Sequence, residues 1–111
     1  MKSLSLTSEP ALEQIRQLGA RLRAARVARR LRQVDVCAKV GLSRSTLEAV
    51  ERGEPTTAMG AYVALLWLYG LNRELDILAD PGLDRQGLAL QYSLENRRVR
   101  VAAADAADDD F

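Results

Sequence analysis

Arginine dominates the side chains of this sequence that are equipped for chemistry. Seven of them, Arg16, Arg21, Arg23, Arg26, Arg29, Arg30 and Arg32, fall in one stretch without an acidic residue, and Arg44 and Arg52 follow. A guanidinium stays charged at any biological pH and donates in a planar fork. Such a run therefore suits phosphates and guanine edges rather than proton transfer. The groups on which catalysis usually leans are scarce. The chain has no histidine and one cysteine, Cys37, with no obvious activating partner. Metal-ligand spacing is absent, and the consecutive carboxylates Asp108, Asp109 and Asp110 would hold a cation only loosely. The expectation is a protein that is not an enzyme and that uses no metal and no cofactor.

Size and composition narrow the class further. The chain has 111 residues, 48% of them apolar and 28% charged, which suits one small domain with its own core. The longest apolar run is nine residues, Ala61 to Tyr69, against the roughly 20 that a membrane-spanning helix needs. Residues 1–10 do not read as an export signal, and a lone cysteine suits a reducing compartment. A cytoplasmic protein with no membrane association is expected.

The formal net charge of +1 conceals a division. Residues 1–53 carry net +6 and residues 54–111 net −5, with the acidic excess closing on Asp105, Asp108, Asp109 and Asp110. That asymmetry points to a polyanion on the basic side and a different partner on the acidic side.

The elements that must position these groups read as helices. Ser8 and Pro10 open a first helix that runs to about Arg29, with Ile15, Leu18, Leu22 and Ala25 as its apolar stripe. Arg16, Arg23, Arg26 and Arg30 lie along the edge of that stripe, spaced to reach one extended partner together. A second helix covers Gln33 to Val40 with Val36, Cys37 and Val40 inward, and Gly41 suits the left-handed residue that ends it. A third begins after Ser43 as N-cap, with Leu42 and Leu47 placed as a hydrophobic staple and Gly53 as the stop.

Gln33 to Gly53 thus has the helix, tight turn, helix spacing of the helix-turn-helix, in which the second helix enters the DNA major groove. At about 100° per residue, Thr46, Leu47 and Val50 share the inner side of that helix. Arg44, Ser45, Glu48, Ala49 and Arg52 share the outer side. Arginine can fork onto guanine, serine reaches several base edges, and an alanine methyl can touch the methyl of thymine. Glu48 can accept from cytosine but repels phosphate.

The stretch Leu18-Gly19-Ala20-Arg21-Leu22, then Gln33 to Leu47, closing on Glu51-Arg52-Gly53, resembles the phage-repressor-like helix-turn-helix family, often called Xre or Cro-type. With the next two helices the resemblance covers about Leu18 to Ala79. It implies an all-α, five-helix domain bound to double-stranded DNA as a homodimer on a palindromic operator. It also implies that Gln33 contacts the DNA backbone and supports Arg44, and that Arg26 pairs with Glu51 as a structural bridge. The base-reading set is then Arg44, Ser45, Glu48 and Ala49, and the backbone set Gln33, Arg32, Arg23, Lys39 and Arg52. Two departures stand out. Arg32 occupies the usual Ser or Thr cap position, and Arg30 the place where a helix-ending glycine is common.

Beyond Gly53, Thr56 or Thr57 caps a helix through Tyr69, and Asn72 caps a short one over Arg73 to Ala79. Trp67 and Tyr69 suit either a dimer surface or closure of the core. The expected domains are a flexible N-terminus at 1–9, the helix-turn-helix domain at 10–80, a short C-terminal extension at 81–96 that is a helix or a dimerising strand, and a disordered acidic tail at 97–111. Residues 88–94 fit both periods: Leu88, Leu90, Tyr92 and Leu94 alternate as in a strand, while Leu83, Leu90 and Leu94, or Leu88 and Tyr92, also suit a helix.

The stretches Gly53 to Pro55, Leu66 to Leu71, Leu78 to Pro81, Gly87 to Leu90 and Arg97 to Arg100 are similar to HipB-like antitoxins. That resemblance implies a HipA-like Ser/Thr kinase toxin as a second partner, with Asp108, Asp109, Asp110 and Phe111 as the contacting tail. A free-standing regulator without a toxin and a protein-interaction module on the same fold are the alternatives.

Overall fold

The computed structural model describes residues 8–109, the last four by their backbone alone. Two compact units divide the chain after Arg73. The first holds four helices: α1 (Glu9–Ala28), α2 (Gln33–Val40), α3 (Arg44–Arg52) and α4 (Met59–Leu68). A 3-10 turn, Arg73–Ile77, crosses the division, and α5 (Arg85–Asp109) makes up most of the second unit. Among the described residues there is no strand.

The core of the first unit is built from the expected faces. Leu22 of α1, Val36 of α2, Leu47 and Val50 of α3, and Ala61, Tyr62 and Leu65 of α4 are buried, together with Tyr69. Ile15, Leu18, Ala25, Cys37, Val40 and Leu42 pack against them partly buried. Tyr69 therefore closes the core, whereas Trp67 is 66% exposed.

Local signals set the boundaries. Gly41 and Gly53 end α2 and α3 at φ 72° and 74°, a left-handed backbone that costs glycine little. The Oγ of Ser43 accepts from the backbone N–H of Thr46 at 3.2 Å, which caps α3. Arg30 takes the left-handed conformation without being glycine, at φ 55°, and α1 ends at Ala28. Where α1 crosses the end of α3 the backbones nearly touch. A Cβ on Gly19 would run into the carbonyl oxygen of Val50, and one on Gly53 would run into the backbone of Arg16.

Several boundaries differ from expectation. Ser8 stands at the N-cap of α1 but makes no side-chain cap bond. α4 starts at Met59 after Ala58, not after Thr56 or Thr57, and also lacks a side-chain cap. The short helix after Asn72 is one 3-10 turn of five residues.

The C-terminal segment is a continuous α-helix, so the strand alternative for 88–94 falls away. Alternation is satisfied differently. Leu88, Tyr92 and Val99 lie on one side of α5, Leu90, Leu94 and Val101 on the other, and all six are exposed. Residues 97–109, expected to be disordered, continue that helix. Alanine has the highest helix propensity, and nothing after Gly87 breaks the run. Asp84 caps its start by accepting from the N–H of Gly87 at 2.9 Å. No helix among the described residues is long and apolar enough to cross a membrane.

Candidate nucleic-acid interface

α3 divides into two sides. Leu47 and Val50 are completely buried, which fixes the rotation of the helix about its axis. The opposite side carries Arg44 with 73% of its side chain exposed, Glu48 with 43% and Arg52 with 60%. Ser45 is exposed and Ala49 half-buried. The hydroxyl of Ser45 lies 3.2 Å from that of the cap Ser43.

A chain of polar contacts ties this side to the interior. Arg26 donates from Nε and Nη2 to the two carboxylate oxygens of Glu51 at 2.8 and 3.0 Å, and from Nη1 to the carbonyl of Leu31 at 3.0 Å. The Arg26 and Glu51 side chains are only 12% and 5% exposed. Hydrogen bonding to Glu51 pushes the Arg26 guanidinium above its already high value, so it is a permanent cation at the base of α3. Gln33 Nε2 donates to Glu51 Oε1 at 3.4 Å, and Gln33 Oε1 accepts from Arg44 Nε at 3.2 Å. The Arg26–Glu51 pair and the support of Arg44 by Gln33, both implied by resemblance, are thus present in the geometry. A surface notch lined by Arg23, Gln33, Glu48, Glu51 and Arg52 flanks α3.

Other arginines are placed differently from the sequence reading. The row Arg16, Arg23, Arg26 and Arg30 does not present four free guanidinium groups. Arg16 pairs with Glu9 and Glu13 at 3.1 and 3.0 Å, Arg26 is consumed by Glu51, and Arg30 lies beyond the end of α1. Hydrogen bonds from Gln17 and Arg16 in turn hold the Glu13 carboxyl below its usual range. Arg23 is exposed and lines the notch, and Lys39 is exposed on α2 and does not line it. Arg52 sits 3.6 Å from Glu54 and Arg44 3.3 Å from Glu48. Surface pairs of this kind contribute about 0–1 kcal/mol.

Asp35 was missed by sequence reasoning. Arg32, a residue without an acceptor, cannot cap α2. Asp35, three residues on, accepts the Arg32 backbone N–H at 3.1 Å and the Arg32 guanidinium through both oxygens. Those bonds hold its carboxyl below the ordinary aspartate value. An acidic residue at the third helical position was the available signal. Arg29 was also missed. It bonds the carbonyls of Ala25 and Tyr69, both at 2.9 Å, and its guanidinium lies 5.4 Å from the Tyr69 ring centre, so it joins the ends of α1 and α4. Asp108 and Asp109 fall at the end of α5, while Asp110 and Phe111 lie outside the described residues.

The family description of a helix-turn-helix domain matches residues 17–76, more than half of the chain. The chain belongs to the helix-turn-helix domain family. Within the matched span α2 and α3 are the two helices of the helix-turn-helix, and the span contains every residue of the polar chain just described. No curated protein and no solved structure matches the chain.

Proposed function

We propose that this helix-turn-helix protein is a transcription regulator of the Xre, Cro-type kind that binds duplex DNA through α3. The observation that carries the reading is the outward face of α3, with Arg44 braced by Gln33 and Arg23, Gln33 and Arg52 gathered at its edge. In this reading Arg44, Ser45, Glu48 and Ala49 meet base edges. Gln33, Arg32, Arg23, Lys39 and Arg52 meet the sugar-phosphate backbone. A homodimer would place two copies of α3 in successive major grooves about 34–36 Å apart on a palindromic operator and block the promoter in the cytoplasm.

Fluorescence anisotropy with DNA from the gene's own promoter, across a salt series, tests this. Arg44→Ala is expected to cost about 1–3 kcal/mol on the operator and to relax base preference locally. Arg23→Ala is expected to weaken all sequences alike and to reduce the salt slope by about 1. Absence of salt-dependent binding would leave a protein-interaction module.

We further place the chain as the antitoxin of a HipBA-like pair, acting on a Ser/Thr kinase toxin. The similar short stretches support this, and so do the exposed Leu88, Leu90, Tyr92 and Leu94 of α5, which suit a protein partner better than DNA. Isolation of the chain from its host with a bound kinase is the expected result. Operator binding without such a kinase would make it a free-standing regulator.

A further inference from the structure

Arg44 opens α3 and Glu48 follows one turn later on the same outward side. The Nε of Arg44 is already engaged. It donates to Gln33 Oε1 at 3.2 Å and lies 3.3 Å from Glu48 Oε1. Gln33 is held by Glu51, and Glu51 by Arg26, so the brace runs back into the core. The two terminal nitrogens of Arg44 and the second carboxylate oxygen of Glu48 form no hydrogen bond among the described residues. Side by side, the pair offers solvent a fork of N–H donors and one anionic acceptor.

The edge of a G·C pair in the major groove presents the complement. It runs from the acceptors N7 and O6 of guanine to the N4 amino donor of cytosine. An A·T pair presents acceptor, donor, acceptor and methyl. There the guanidinium would meet the adenine amino group, and the carboxylate would face the thymine O4.

We propose that Arg44 and Glu48 act as a single reading unit for a G·C base pair, with the guanidinium on guanine and the carboxylate on the amino group of cytosine. This rests on the DNA-binding reading above and names the bases that α3 selects. Glu48 also explains itself in these terms. Its charge opposes every phosphate, so it lowers affinity for DNA in general and repays that loss only where a cytosine amino group is in reach.

The test uses the full chain. A site is selected from randomised duplexes, and binding is then measured with 7-deazaguanine, or with 2-pyrimidinone for cytosine, at the selected G·C pair. Each replacement is expected to weaken binding by the parent roughly 5- to 100-fold. In Glu48→Ala the pyrimidinone effect should vanish while the deazaguanine effect persists, and binding to random DNA should tighten. In Arg44→Ala the deazaguanine effect should vanish. Thermal melts matching the parent confirm that the variants are folded. A pyrimidinone effect unchanged in Glu48→Ala overturns the proposal. Salt-dependent binding with no preference for G·C overturns it too, while leaving the DNA-binding reading intact. Failure to bind DNA at low salt removes both.

Discussion

Removing Glu51 should unfold this domain more readily than removing any surface charge. Arg26 cannot shed its proton, so Glu51→Ala strands a cation that is 12% exposed with the Leu31 carbonyl as its remaining acceptor. Breaking a buried pair from one side costs about 3–5 kcal/mol, because the surviving charge loses its partner and does not regain water. Domains of this size have about 5–15 kcal/mol of total stability. The loss is therefore a large share, and the melting midpoint should fall by at least about 10 °C. Arg26→Met alone should cost somewhat less, because the carboxylate it leaves behind keeps the Gln33 amide donor at 3.4 Å. The pair of substitutions Arg26→Met and Glu51→Leu should recover most of the loss, since two apolar side chains of similar size need no solvation. Urea unfolding of the four proteins at one pH measures the cycle. Single losses under about 1 kcal/mol, the range of exposed pairs, would refute the argument, as would losses that simply add.

The remaining predictions concern backbone and pH. Gly19→Ala should destabilise by about 1–3 kcal/mol in thermal melts, despite alanine's better helix propensity, because its methyl group meets the Val50 carbonyl. Arg30→Gly should stabilise by about 1 kcal/mol, since glycine accepts the φ of 55° without strain; an unchanged melting midpoint would count against it. Asp35 has a depressed folded pKa, so its contribution is complete above its unfolded value of about 3.9 and is lost as pH falls through the lower folded value. Asp35→Asn should therefore be less stable than the parent near neutrality and show a smaller further loss on acidification, followed by urea midpoints against pH.

The helix-turn-helix core was legible because its signals are local. Ser43, Gly41 and Gly53 each mark a boundary through their own backbone chemistry, and the inward spacing of Leu47 and Val50 needs no knowledge of what they touch. What joins distant parts of the chain was not legible in the same way. Arg29 reaching Tyr69 spans forty residues of sequence, and one more arginine in a basic run gives no hint of it. Gly19 reads as a mild flaw in a helix until the crossing with α3 is known. Arg26 with Glu51 was accessible only through family resemblance. The alternation at 88–94 left helix and strand both open for a different reason: a helix with apolar residues on two opposite sides and a strand share the same pattern. The alanines after Val101 gave no apolar pattern from which to read an element, yet they lie in α5, because alanine forms helix well whatever surface it buries.

The crossing of α1 and α3 carries an implication for how such a protein changes its target. The angle of α3 is set at its far end by main chain against main chain, at Gly19 and Gly53, where no rotamer can shift. The residues that face outward take no part in that hold. On the proposed DNA-binding reading, Arg44, Ser45, Glu48 and Ala49 can thus be rewritten as a vocabulary while the grammar of docking stays constant, and a grafted face should keep its stance on DNA. Only the brace from Arg26 through Gln33 constrains the first letter, because any successor to Arg44 inherits a glutamine waiting for a donor.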